Sequence, residues 1–169
     1  MGVKADKGND NYIKEFIFQA KEDIHNQIVY FLNSVGLHCL AYARDNGLYT
    51  DRTGNLRSSV GYIIYHKGEV LEINGFDANE NEAEPNIKDG VTGAASGKDL
   101  ALSLGGDLEH DYTLIFVAGM FYAEYVEKKG YDVLIGAQIE AEIYAQQLYN
   151  KLNERLQGIW YIRSCFKAT

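Results

Sequence analysis

Over the first fifth of the chain, Ile13, Phe16, Ile17, Ala20, Ile24, Ile28, Phe31, Leu32 and Val35 recur at steps of three and four, with Lys14, Glu15, Lys21, Glu22 and Asp23 between them. That period belongs to one face of an α-helix and predicts an amphipathic helix over 11–45. Asp10 or Asn11 can cap its first free amides, Gly36 is a place to kink, and Asn46-Gly47 stops it. After a polar connection, residues 58–65 (SSVGYIIY) are rich in β-branched and aromatic side chains. With a turn at Lys67-Gly68 and a second extended run over 69–74, they predict a β-hairpin.

Residues 76–110 are dense in Gly, Asn, Asp and Glu, include the only proline, Pro85, and hold no sustained period. A long surface excursion is the expectation. Residues 112–119 (YTLIFVAG) are almost continuously apolar, which predicts a central strand covered on both faces. One or two helical turns are expected over 121–127. Ile139, Ile143, Leu148, Leu152 and Leu156 then step helically, so 137–157 should form a helix of roughly 30 Å. After Gly158, residues 159–166 (IWYIRSCF) read as a last strand. The expected fold class is α+β: a long N-terminal helix and a C-terminal helix packed on a small, mainly antiparallel β-sheet, in a single domain over 1–169.

Composition fits that picture, with 46% apolar and 24% charged residues, close to an ordinary water-soluble protein. The first ten residues are polar where a secretory signal needs an apolar core, so the chain is expected to start in a cytoplasm. The longest apolar run, 114–123, falls well short of the roughly 20 residues that span a bilayer, so no membrane partner is expected. Cys39 and Cys165 are the only cysteines and read as reduced, structural thiols. The net charge of -8 is unevenly placed, because 69–111 holds eleven acids against Lys88 and Lys98. Nucleic-acid affinity comes largely from Lys and Arg neutralising phosphates, so an extensive grip on DNA or RNA is excluded.

Candidate chemistry fails position by position. Residues 93–98 (GAASGK) resemble a phosphate-binding loop, but three residues separate the glycines where four are required, and Asp99 stands where a hydroxyl should bind magnesium. Asp77, Asn79 and Asn81 alternate like calcium ligands, yet Glu82 takes the place of the turn glycine and Lys88 that of the bidentate acid. His25, His38, His66 and His110 are dispersed, with no metalloprotease spacing and no serine elbow. No catalytic set, metal site or cofactor is expected.

Two segments remain, 50–59 (TDRTGNLRSS) and 122–130 (YAEYVEKKG). In the first, Gly54 can take positive φ in a tight turn, Leu56 re-enters the core and Arg57 stays out. In the second, Tyr122, Tyr125 and Val126 share a helical face, Glu124 and Lys128 sit four apart on another, and Gly130 ends a short packed helix. Their order behind an N-terminal helix resembles the head-tail connector, neck or tail-completion proteins of long-tailed bacteriophages. The shared positions are Thr53, Gly54, Asn55, Leu56 and Arg57, then Tyr122, Ala123, Tyr125, Val126, Glu127 and Gly130. The resemblance covers about 13–156, and it implies that these are fold and interface positions, not catalytic ones.

What the resemblance implies is a structural subunit of a homo-oligomeric ring joining capsid and tail. Its partners would be other neck, portal-side or tail proteins, with DNA only as passing cargo. The expected location is the virion neck or tail end, and the host cytoplasm during assembly. The chain departs from the usual pattern in its long 76–110 excursion and in lacking a proline-aromatic run after Gly130. The acidic excursion is expected to face the channel or a partner collar, where negative charge keeps DNA from sticking. A competing expectation is an acidic protein-binding module, an inhibitor or host-factor antagonist. A third is a metal-dependent enzyme built on the 77–84 acids.

Overall fold

A computed structural model describes residues 7–50, 53–77, 91–106 and 110–165, with side-chain positions for those between 10 and 153. The fold is α+β, with two long helices and a three-stranded antiparallel sheet. Helix α1 (Lys7–Asn46) is followed by the single turn α2 (Asn55–Ser58), the hairpin β1 (Val60–His66) and β2 (Glu69–Gly75), then α3 (Gly93–Ser103). Strand β3 (Tyr112–Ala118), α4 (Ala123–Lys128) and α5 (Ile135–Cys165) complete it. Among the described residues no helix is long and apolar enough to cross a membrane.

The strand order is β2-β1-β3, with β1 antiparallel to both neighbours. The central strand is therefore β1, not the 112–119 run. β1 is buried almost throughout, whereas β3 lies at an edge and is mostly half-buried. Lys67 and Gly68 take φ of 52° and 81°, which gives a two-residue turn whose twist suits a hairpin. Leu71 is an extra residue in β2, because Ile64 pairs with Glu72 while Tyr65 pairs with Val70.

Alternation along β1 sends Val60, Tyr62 and Ile64 to one face and Ile63 and Tyr65 to the other. The first set packs with Val35, Cys39, Leu40 and Ala43 of α1 and Ala137 of α5. The two helices run antiparallel: His38 stacks on Tyr144 at 4.2 Å, while later in α1 Tyr42 lies against Gly136, earlier in α5. At the crossing of α1 over the sheet, a Cβ on Gly36 would stand 2.6 Å from the Tyr62 ring. Gly36 lies within the continuous helix at this close approach.

Four further expectations are corrected. α1 begins at Lys7, so Asp10 sits inside its first turn, favourably placed in the helix dipole, and does not cap it. Strand β1 begins at Val60, because Asn55–Ser58 forms a helical turn first. Residues 159–165 continue α5 instead of forming a strand: a short apolar run does not fix its own period, and Gly158 costs only about 1 kcal/mol inside a helix. The excursion contains α3, capped by Thr92 Oγ1, which accepts from the Ala95 amide at 3.3 Å. α3 covers the second sheet face, where Ala101 joins Ile63, Tyr65 and Val117.

Along α1, burial is concentrated near Val35, Cys39, Leu40 and Ala43. Ile13, Phe16, Ile17 and Ile24 are exposed. At about 1.5 Å per residue the 40-residue helix is some 60 Å long, more than twice the roughly 23 Å of a seven-residue strand, so the sheet cannot cover it.

Candidate functional site

Gly54 opens the first segment with φ of 73°, a left-handed conformation that suits glycine, and it heads the single turn α2. The Thr53 hydroxyl accepts from the Asn55 amide at 3.5 Å. Asn55 is buried, and its side-chain oxygen accepts from the Gly93 amide at 3.0 Å, tying the turn to the start of α3. Ser59 donates through its hydroxyl to the Leu56 carbonyl at 2.7 Å, and its own carbonyl accepts from the Gly119 amide at 3.2 Å. Arg57 is half-buried, not fully out: its guanidinium lies over the Tyr49 ring and donates to the Arg44 carbonyl at the end of α1.

The phosphate-loop lookalike 93–98 proves to be packing. Gly93, Gly97 and Ala101 fall on one face of α3 and are all buried. A Cβ on Gly97 would stand 2.2 Å from the Ser59 carbonyl oxygen, and one on Gly119 would stand 2.2 Å from the Gly97 Cα. Small residues four apart let this helix lie directly on the sheet and on the α2 turn.

The two motif segments meet. Leu56 packs in one cluster with Met120, Ala123 and Val133, and with Tyr122 and Val126 at its margin. Tyr125, expected on the packed face, is 60% exposed and carries the Lys129 ammonium over its ring. Lys128 and Glu124 form the expected ion pair. α4 ends with Gly130 at φ of 84°, the Gly130 amide donating to the Glu127 carbonyl and the Tyr131 amide to that of Val126, a Schellman closure.

Glu127 has a role that its spacing did not announce. Its Oε2 accepts from the amides of Val133 at 3.0 Å and Leu134 at 2.7 Å, immediately ahead of α5. Asp132 Oδ1 accepts from the Gly136 amide at 2.8 Å. Two carboxylates thus occupy amides that a helix start leaves without intrahelical partners, and their charge suits the positive end of the helix dipole.

The Cys39 thiol is buried, and burial pushes its pKa up, away from thiolate reactivity. A cleft of about 300 Å³ between α1, α5 and β3 has Cys39, Phe116, Leu134 and Gln138 in its largely apolar wall. The fold does gather two histidines that looked dispersed: His25 and His66 lie 5.1 Å apart between ring centres, and Tyr112 is 2.6 Å from His25 Nδ1. Among the described residues, no three His, Cys, Asp or Glu side chains could hold a metal ion together. Asp77 pairs with Arg44 at 2.8 Å, while Asn79, Asn81, Glu82, Glu84 and Lys88 lie outside the described residues, as does the most acidic part of the excursion. The chain matches no protein-family model, no curated protein and no solved structure.

Proposed function

We propose that this chain is a structural subunit of a tailed bacteriophage or prophage, placed where the tail joins the capsid as a neck or tail-completion ring. The observation that carries the reading is the meeting of the two resembling segments: Leu56 of the first packs with Ala123, Tyr122 and Val126 of the second. Glu127 then fixes the start of α5. They act as one scaffold unit, the role the resemblance implies for them. A ring subunit also needs contacts to its neighbours, and the exposed aromatic and aliphatic residues on α1 offer material for them.

The test is electron microscopy of particles made when the gene is deleted from its parent phage or prophage, with the wild-type gene supplied in trans as control. Filled heads beside unattached tails, rescued by the control, are the expected result. Normal infectious particles would remove the reading and put the acidic binding module in its place.

A further inference from the structure

The sheet has two outer strands, β2 and β3, and only β2 is protected. β2 carries Glu69 and Glu72 and an extra residue at Leu71, and charges and bulges of this kind keep a strand edge from pairing with other chains. β3 (YTLIFVA) holds no charge and no proline, and its seven residues pair with β1 in unbroken register. Among the described residues no strand lies on its other side. Such an edge presents a row of backbone N–H and C=O groups to any extended segment.

The cleft of about 300 Å³ lies beside that edge. Its wall includes Leu114 and Phe116 of β3, Cys39 of α1, and Ala137, Gln138 and Ala141 of α5. α1 packs over β1, and α5 runs beside α1 on the β3 side. Packed helices lie about 8–10 Å apart and neighbouring strands about 4.8 Å, so α5 overhangs the place of a fourth strand, one step beyond β3. A strand added there alternates its side chains. Those on the α5 side enter an apolar space about twice the volume of a cavity that holds benzene.

We propose that β3 and α5 form a docking groove for an extended segment of a partner protein, which adds to the open edge of β3 and places one Leu, Ile, Phe or Met side chain in the cleft. Backbone hydrogen bonds to β3 supply affinity, and the cleft selects the side chain. Among the described residues no charged group lines the wall, so an acidic or basic residue at that position would be buried unpaired and is rejected. A second copy does not fit the groove. Its β2 would turn Glu69, Glu72 and Asn74 toward the cleft, since these residues share the α1 face of the sheet. Its β3, paired antiparallel, would bring its own α5 against this one at less than the separation that packed helices need. The inference stands apart from the neck reading, because the groove is tested on the isolated chain.

The experiment selects random peptides of seven residues, the length of β3, on the immobilised full chain and measures those recovered by fluorescence anisotropy. The recovered sequences are expected to share one position held by Leu, Ile, Phe or Met. N-methylation of a peptide amide that faces β3 should weaken binding about tenfold, whereas methylation of the alternate amides should leave it within about twofold. A141F, which fills the cleft, should abolish binding with an unchanged circular dichroism spectrum; if that variant loses its helices, the methylation pattern decides alone. A library that yields no binder, equal sensitivity to methylation at both sets of amides, or binding unchanged in a folded A141F overturns the proposal. So does hydrogen exchange that finds every β3 amide protected in the free chain. Protection independent of concentration would mean that the chain's own segments cover the edge, and protection that rises with concentration would mean that a second copy does.

Discussion

Replacing Glu127 by alanine removes one oxygen that accepts from two backbone amides, Val133 at 3.0 Å and Leu134 at 2.7 Å. A hydrogen bond to a charged group contributes about 1.5–3 kcal/mol. Both bonds are partly buried, so water recovers part of the loss, and about 2–3 kcal/mol is expected for the pair. In a chain of this size each kcal/mol moves Tm by about 2–4 °C, which places the E127A midpoint roughly 5–10 °C below wild type. Glutamine keeps an acceptor in the same place and gives up only the charge, so E127Q should lose about 1 kcal/mol. Urea unfolding followed by circular dichroism reads both variants, with unchanged slope as the sign that the same surface unfolds. If E127A lies within about 0.5 kcal/mol of wild type, the carboxylate does not hold the start of α5.

L56A should cost about 2–4 kcal/mol in the same assay, because it empties the cluster shared by both motif segments. G36A pits a helix-propensity gain of about 1 kcal/mol against a collision with the buried Tyr62 ring at 2.6 Å; overpacking of this kind costs about 1–3 kcal/mol, so net destabilisation is expected. Burial pushes the Tyr62 hydroxyl up to about 12, from 10 in the unfolded chain. Its folded pKa being raised, its contribution is complete below pH 10 and is lost as pH rises through about 12. Alkaline unfolding of wild type and Y62F compares directly: the stability gap between them should change across that window, and a constant gap would refute the assignment.

The sequence by itself determined the element types that rest on strong periodicity or on turn chemistry. The body of α1, the hairpin closed by Lys67-Gly68, the tight turn at Gly54 and the end of α4 at Gly130 were legible because each follows from neighbours within a few residues. Leu56 and Ala123 could be marked as buried scaffold, but not as partners. Only the tertiary structure decided what packs on what. The order of strands put β1 at the centre, since an apolar run records burial without saying which neighbour supplies it. α3 escaped notice because its buried face is made of glycines and alanine, small residues whose value appears only when another backbone lies within contact distance. Glu127 was named for its motif, yet its work on the amides ahead of α5 depends on the turn at Gly130 bringing the chain back. The helix α1 was read as amphipathic, but how much of its stripe is buried was not legible. Periodicity reports that a face avoids water, and the length of the sheet decides how much of that face the chain itself can cover.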